Sequence, residues 1–391
     1  MRRLLLLVKK HLLRLIKIAL AVAALILIYH LVDWRDSYSV IATDDKIQQK
    51  VDGKILGAWN VDVVHFLADG ENKPRLISRS SGYSITPSIF TYLRNLDKSL
   101  FALGAVSFLF FILIINTRWW WLLRANKLGV RLLEAQRFGW IGLFCSNAMP
   151  GSVGGDLIKA VYIVERCSGD RFRAVVSILV DRIIGLLSLL LACSIGCLFI
   201  ATRFPEFAWT VWVCALGGFA GCILLLSPGL RSLLRFEMLI SQLPKRLGKF
   251  VAQLDDAVLQ YRDNLKGIGL WLLASPLIYS LFIGSVILMA QAIGVGLPWI
   301  DYLSIVPAAM VVQAIPLMPG GWGIGELAYG TLIAEFGMQA LPGVPDAEQI
   351  MRTRGVALSV VHRIHVIAWS LLGGLLMLWD RRLNQNKTGV S

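Results

Sequence analysis

The chain has 391 residues, of which 56% are hydrophobic and only 16% charged, against about 25% charged residues in an ordinary soluble domain. Its formal net charge is +14. Long apolar runs with basic flanks exclude a set of soluble domains and a nucleic-acid-binding protein. They favour an all-α polytopic membrane protein whose basic residues face anionic lipid. The six cysteines lie in or beside apolar segments, which excludes an extracellular disulfide scaffold.

Six apolar segments are long enough to cross a bilayer, which takes about 20 residues. The predicted spans are 16–32, 99–115, 174–202, 207–226, 268–293 and 355–379. The first follows a basic segment and forms with it the N-terminal region 1–32. No small-x-small cleavage site comes after this span, so we expect it to stay on the chain. A basic tail, 381–391, follows the last span.

A polar insert, 33–98, separates the first two spans. Strand signals at 53–59 and 61–67, with a turn at 68–72, predict a small extracytoplasmic β-rich domain. Thr86-Pro87 has the residue types of an N-cap and a first helical position, which predicts a helix leading into the second span. The insert has no catalytic or metal-ligating pattern, and a structural or gating role is predicted for it.

The main basic loop, 229–266, has apolar residues at helical spacing with basic residues around them. This pattern predicts an amphipathic cytoplasmic helix. The helix either lies on the anionic inner leaflet or packs beneath the helical bundle.

Two further apolar stretches, about 138–162 and 299–337, are interrupted by proline and glycine. In both, Pro-Gly comes first, further glycines follow, and a carboxylate comes six or seven residues after the proline. The residues concerned are Asn147, Pro150, Gly151, Gly154, Gly155 and Asp156 in the first, and Pro319, Gly320, Gly321, Gly323 and Glu326 in the second. Non-helical backbone persists at membrane depth only where it is buried in protein or lines a wet cavity. We therefore predict two re-entrant hairpins whose second helices point their N-termini at an anionic group. Gly/Pro kinks used for close helix packing are the alternative.

Each broken stretch is followed by a span that carries an arginine, Arg182 after the first and Arg363 after the second. An arginine inside a span costs about 2.5–3.5 kcal/mol on insertion scales, so it needs a partner. One interpretation is a structural ion pair with the hairpin carboxylate, Asp156 or Glu326. The other is a guanidinium that binds a lipid phosphate and is held by the carboxylate when no lipid is present.

The order of span, hairpin and arginine-bearing span occurs twice, in repeat 1 (about 99–202) and repeat 2 (about 268–380). If both hairpins re-enter, the copies start from opposite sides, and such an inverted repeat is typical of secondary transporters. This topology places 25 Lys and Arg residues on inner segments and three on the short outer loops, as the positive-inside rule requires. We expect a multi-pass protein of the cell membrane with both termini cytoplasmic.

The sequence contains no P-loop, dinucleotide-binding or metal-ligand pattern, so we predict no cofactor, no metal and no catalysed reaction. His362 and His365 lie three residues apart on the last span. They are interpreted as polar groups that face the bundle or the interface, with a proton relay as the alternative.

The broken stretches, together with Arg118-Trp119 and the segment 177–182 that ends in Asp181 and Arg182, also resemble a known family. Over about 100–380 the chain is similar to the flippase-like transmembrane domain of the lysylphosphatidylglycerol synthases and their stand-alone relatives. The resemblance implies two re-entrant hairpins and movement of a phospholipid or lipid-linked headgroup between leaflets, with Arg118 and Asp181 as accessory residues. The soluble aminoacyl-transfer domain of the full-length synthases has no counterpart in this sequence, so we do not expect lysylphosphatidylglycerol synthesis.

Three functions remain in competition. The first is lipid translocation by a flippase-like transporter or scramblase, with the phosphate between the helix N-termini and the two arginines. The second is a membrane-embedded lipid or polyprenyl-phosphate transferase with Asp156 or Glu326 as general base. The third is a non-transporting partner of a lipid-modifying enzyme that docks through the 33–98 insert. Membrane lipids are the expected partners. A separate lipid-modifying enzyme and a second copy of the chain are the two further partners considered.

Overall fold

The structure is a computed structural model that describes residues 29–30, 32–41, 47–78, 83–148, 154–227, 229, 232, 258–314, 323–341, 344 and 347–388. The chain divides into two compact units. The first unit comprises Met1–Ser107 and Ile283–Val366, and the second comprises Phe108–Phe282 and Ile367–Ser391. Each unit contains one of the two broken apolar stretches.

The polar insert of the first unit folds around a five-stranded antiparallel sheet in the order β4-β3-β2-β1-β5. Its strands are β1 Asp36–Ile41, β2 Ile47–Leu56, β3 Val63–Ala68, β4 Arg75–Ser78 and β5 Tyr83–Thr86. In β3 the buried side chains of Val64, Phe66 and Ala68 alternate with more exposed ones, because successive residues of a strand face opposite sides of the sheet. The predicted β-rich domain is therefore present.

The predicted start of β2 at residue 53 is wrong, since the strand begins six residues earlier. Asp52-Gly53 resembles a turn in the sequence, but Gly53 lies inside the strand, paired with Ala68. A Cβ on Gly53 would lie 2.5 Å from the Phe66 ring. Gly53 thus provides space for a neighbouring aromatic side chain, which is one use of glycine within a strand.

The helix after the sheet begins later than Thr86-Pro87 suggested. Thr86 ends β5, Ser88 is the N-cap, and α1 spans Ile89–Arg94. The helix does not continue into the next span: the carboxylate of Asp97 accepts the N–H groups of Ser99 and Leu100 at 2.8 and 3.1 Å and so begins a new helix. A side chain that caps a helix N-terminus favours a start at that point.

The remaining helices follow in chain order. They are α2 Lys98–Ala125, α3 Leu132–Ala148, α4 Gly154–Arg166, α5 Arg171–Ile200, α6 Pro205–Leu226, α7 Leu265–Ala292, α8 Tyr302–Gln313, α9 Ile324–Gly337 and α10 Ala347–Thr388, with short 3₁₀ turns at Gln260–Asn264 and Met338–Ala340. Five helical segments of the described residues are long and apolar enough to cross a membrane: Lys98–Ala125, Arg171–Ile200, Pro205–Leu224, Gln260–Ala292 and Ala347–Trp379. Each overlaps a predicted span, and the remaining predicted span, 16–32, lies mostly outside the described residues.

Two predicted polar segments are described only in part. The last helix, α10, continues through most of the predicted basic tail 381–391 and ends at Thr388, and this stretch contains no glycine or proline that would end it earlier. Most of the 229–266 loop lies outside the described residues. At its described end Tyr261 is buried, and its hydroxyl donates to the Leu122 carbonyl at 3.4 Å, which at this position agrees with packing beneath the bundle.

Candidate functional site

Each broken stretch forms two short helices on either side of its Pro-Gly segment. In the second unit α3 packs along α4, and α4 packs against α5. In the first unit α8 packs along α9. The segments between the helices, 149–153 and 315–322, lie outside the described residues, and with them the predicted site residues Pro150, Gly151, Pro319, Gly320 and Gly321.

The hairpin of the second unit depends on two glycines that let α3 and α4 approach closely. A Cβ on Gly155 would overlap the Ser146 hydroxyl and the Gly142 carbonyl. A Cβ on Gly142 would lie 2.7 Å from the Lys159 side chain, which crosses α3 at this point. Gly155 therefore serves helix packing, the alternative considered for the glycines, and Gly154 begins α4 beside it.

Replacing Gly155 with alanine should destabilise the protein, since the clash involves backbone that cannot move without separating the helices. We expect a loss of about 1–3 kcal/mol, typical of overpacking. Thermal unfolding of the detergent-solubilised protein would measure it. The matched control is Gly217→Ala in α6, where a Cβ meets nothing within 4 Å. Equal unfolding temperatures for the two variants would contradict the packing role.

The carboxylate of Asp156 and the guanidinium of Arg182 form a bidentate pair in the second unit. Arg182 Nε donates to Asp156 Oδ2 at 2.8 Å, and Arg182 Nη2 donates to Asp156 Oδ1 at 2.9 Å. Asp156 lies in the first turn of α4 and Arg182 in the middle of α5. The Arg182 side chain is 56% exposed within the protein. The pair is therefore open on one side and can be reached by a ligand.

A second ion pair lies directly beside the first but is buried. Arg118 Nε donates to Asp181 Oδ1 at 2.9 Å, and Arg118 Nη2 donates to the Asp181 carbonyl at 3.2 Å. The side chains of Arg118 and Asp181 are only 4% and 14% exposed. Since Asp181 precedes Arg182 on α5, this pair holds the helix carrying the accessible arginine against α2.

Lys159 adds a third cation to this group of side chains. Its Nζ lies 5.0 Å from the centre of the Trp119 ring, and among the described residues no carboxylate lies within ion-pair distance of it. It interacts electrostatically with Asp156, Asp181, Arg118 and Arg182. Three basic and two acidic side chains form this cluster, called the second-unit cluster below.

The ends of the α3–α4 hairpin are fixed by polar contacts outside the cluster. The Arg166 guanidinium donates to Glu134 Oε1 at 3.0 Å and to the Gly129 carbonyl at 3.1 Å. Burial alone would raise the pKa of Glu134, but hydrogen bonds from the Arg131 N–H and from Arg166 outweigh it and lower the pKa. At the other end, Asn147 donates to the Leu143 carbonyl of its own helix at 3.1 Å, so this amide is engaged within α3.

The corresponding pair in the first unit, Glu326 with Arg363, is buried. Arg363 Nε donates to Glu326 Oε1, and Arg363 Nη2 donates to Glu326 Oε2 at 3.3 Å. The side chains of Arg363 and Glu326 are 10% and 6% exposed. This pair has a net charge of zero and lies deeper in the protein than Asp156–Arg182.

At the start of α9 the helix N-terminus already has an anionic partner. The N–H of Gly323 donates to Glu326 Oε2 at 2.6 Å, and Gly323 adopts a φ of 80°, which glycine accommodates without strain. The prediction that this N-terminus faces a headgroup with free N–H groups is therefore wrong for Gly323. A carboxylate three residues into a helix can reach back to the capping N–H, as it does here.

The hydroxyl of Ser359 and the amide of Gln313 also lie close to the buried pair. Ser359 donates to Glu326 Oε1 at 3.4 Å. A Cβ on Gly325 would lie 2.8 Å from Arg363 Nη2 and 3.1 Å from the Gln313 amide. The buried hydroxyl of Tyr329 interacts with the charge of Arg363 and has no hydrogen-bond partner among the described residues.

The two histidines of α10 lie one turn from each other, beside Arg363 in sequence. The rings of His362 and His365 are 4.6 Å apart in an edge-to-face arrangement, and His365 also meets the Phe101 ring at 6.3 Å. Both rings are thus packed inside the first unit. Among the described residues no group of three or more His, Cys, Asp and Glu side chains is placed to hold a metal ion.

Sequence reasoning predicted the carboxylate and the arginine of both pairs but missed several neighbours. Lys159, Tyr279 and Tyr329 are among these; the Tyr279 hydroxyl donates to the Gly185 carbonyl at 3.4 Å and contacts Arg118. A signal existed for Lys159, which follows Asp156 by three residues and therefore shares its helix face. The tyrosines carry no such signal, since an aromatic residue in an apolar helix is usually part of the core.

Residues 86–346 match the protein family described as lysylphosphatidylglycerol synthase TM region. The resemblance predicted from the sequence covered about 100–380. The family match begins earlier, at residue 86, and ends at residue 346, before Arg363. A UPF0104 membrane protein of Pyrococcus horikoshii is 20% identical over 310 residues, which cover 73% of this chain and 89% of that protein. No solved structure is detectably similar to the chain.

Proposed function

Because the chain belongs to the lysylphosphatidylglycerol synthase transmembrane region family, we propose that this multi-pass membrane protein moves a phosphate-bearing lipid between the two leaflets. One observation carries the proposal. In each unit, a carboxylate from the second helix of a broken hairpin binds an arginine from the helix that follows in sequence. No catalysed reaction is part of the proposal.

The Asp156–Arg182 pair is suited to exchange partners. A phosphate offers a guanidinium the same bidentate geometry as a carboxylate does, so a lipid phosphate can replace Asp156 at an arginine that is half-exposed. The excess of basic over acidic side chains in the second-unit cluster favours an anionic headgroup, and Lys159 has no carboxylate at ion-pair distance among the described residues.

The two hairpins are proposed to be re-entrant and to form an inverted repeat in the cell membrane, with both termini cytoplasmic. The charge bias of the short loops supports this orientation. In an inverted repeat, one pair would serve the lipid from one leaflet and the other pair from the opposite leaflet. Since both hairpin carboxylates are bound by guanidinium groups, neither is placed as a free general base, which favours transport over a transferase.

Reconstitution into phospholipid vesicles tests the proposal. The protein should accelerate the movement of fluorescent phosphatidylglycerol across the bilayer, measured as the fraction protected from external dithionite. Arg182→Gln should slow this movement by about 10- to 100-fold, because a hydrogen-bonded contact to a charged group contributes about 1.5–3 kcal/mol. Arg182→Lys should keep part of the activity, since it retains the charge and loses the bidentate fork.

Two comparisons separate lipid binding from a structural ion pair. Arg173 lies on the same helix, and its side chain is 44% exposed and paired with Asp170. Arg173→Gln therefore removes a cation elsewhere on this helix and should leave transport unchanged. The double variant Asp156→Asn/Arg182→Gln should remain as slow as Arg182→Gln. Recovery of the parental rate in the double variant would show that the pair is only structural, and absence of protein-dependent movement for every labelled lipid would end the proposal.

A further inference from the structure

A groove of 440 Å³ lies on the β-rich domain, between the sheet and α1. Three basic residues, Arg35, Lys54 and Arg94, line it together with the aromatic rings of Trp34 and Phe90. None of these residues belongs to the ion pairs described above. The groove is thus a separate feature of the first unit.

The charges in the groove are only partly balanced. Asp36 is buried, and its oxygens accept hydrogen bonds from the N–H groups of Ile55 and Ser88 and the hydroxyl of Thr91 at 2.6–2.8 Å. The second carboxylate of the groove, Asp69, pairs with Arg35 at 3.0 Å. Both carboxylates therefore already have hydrogen-bond or ion-pair partners within the protein.

The other two cations remain available. Lys54 and Arg94 are exposed and, among the described residues, have no carboxylate within ion-pair distance. They reach the groove from different elements, Lys54 from β2 and Arg94 from the last turn of α1. A ligand that neutralised both would have to carry negative charge.

The position of the groove along the chain places it at a membrane surface. α1 ends at Arg94, and α2, which is long and apolar enough to span, begins at Lys98. Beside it, the Trp34 ring lies 6.1 Å from Phe90 and stacks on Tyr29 at 5.8 Å, and all three rings are exposed. Exposed tryptophan and tyrosine next to a span are typical of the headgroup layer.

We infer that this groove binds the headgroup of an anionic phospholipid at the membrane face where α2 begins. Lys54 and Arg94 contact the phosphate, and the aromatic rings lie against the glycerol and the first carbons of the acyl chains. The inference does not depend on transport, because the groove would hold a lipid equally in a protein that moves none.

A photoreactive residue inside the groove would detect the lipid directly. The full-length protein carrying Phe90→p-benzoyl-L-phenylalanine would be placed in nanodiscs with alkyne-tagged phosphatidylglycerol or phosphatidylcholine and irradiated. Phosphatidylglycerol should be captured in preference to phosphatidylcholine. Lys54→Gln/Arg94→Gln should lower its capture by about 25-fold, at about fivefold for each cation. The same photoreactive residue at Leu76, exposed on the outermost strand β4, should capture only background lipid.

Matched variants define the outcomes that would overturn the inference. Lys73→Gln/Arg75→Gln removes the same charge from the same domain outside the groove, and capture should not change. Equal capture of both lipids, equal capture at Leu76, or an equal loss with this control pair would contradict the inference. So would complete competition by glycerol 1-phosphate, which would assign the groove to a soluble anion. Arg182→Gln should leave capture intact, so that a failure of the transport proposal is recognised separately.

Discussion

Replacing Glu326 with alanine should destabilise the protein by about 3–5 kcal/mol, because Arg363 would stay buried without its counter-charge. The two side chains are almost fully enclosed, and Glu326 also accepts hydrogen bonds from the Gly323 N–H and the Ser359 hydroxyl. Its loss therefore removes the Glu326 acceptor from the Gly323 N–H, the Ser359 hydroxyl and the Arg363 guanidinium. Thermal unfolding in detergent and the yield of monodisperse protein would measure the effect.

The matched control for this variant is Glu335→Ala, which removes an exposed carboxylate from the same helix. Such surface changes usually stay within about 0.5 kcal/mol. The double variant Glu326→Leu/Arg363→Met should recover most of the stability, since a well-packed apolar pair can replace a buried ion pair at little cost. Equal behaviour of Glu326→Ala and Glu335→Ala would contradict the arrangement.

Replacing Asp181 with alanine should have an effect of the same size in the second unit, about 3–5 kcal/mol. Arg118 is only 4% exposed and donates to both the carboxylate and the carbonyl of Asp181. Asp156→Ala should cost less, because its partner Arg182 is 56% exposed and would not be left enclosed without a counter-charge. Unfolding temperatures of the two variants, measured side by side, would test this order.

Asp170→Ala provides the baseline for both variants, since its pair with Arg173 is exposed and its side chain does not cap α5. If Asp156→Ala proved as destabilising as Asp181→Ala, the Asp156–Arg182 pair would be a structural element, and its proposed exchange with a lipid phosphate would lose its basis. A variant that keeps its stability and loses transport is the result expected for a ligand-binding pair.

Much of the architecture follows from the sequence alone. Apolar length predicted the helices that contain Arg182 and Arg363, because a bilayer span needs a fixed number of apolar residues. The Pro-Gly segments marked the breaks between the paired helices, since proline and glycine next to each other are both unfavourable in a helix interior. The high energy of a charge in an apolar segment predicted that each arginine has a carboxylate partner, and both partners proved to be the hairpin carboxylates.

Tertiary structure decided what each pair can do. A carboxylate and an arginine form an accessible pair at Asp156–Arg182 and an enclosed pair at Glu326–Arg363, although both pairs follow the same sequence pattern. Burial depends on which helices pack against the pair, here on the close approach of α8 to α9, where a Cβ on Gly325 would lie 3.1 Å from the Gln313 amide. The position of Lys159 across Gly142 and the pairing of Arg118 with Asp181, 63 residues apart, arise in the same way. Sequence fixes the presence of charges in apolar helices, whereas their accessibility and net balance depend on long-range packing.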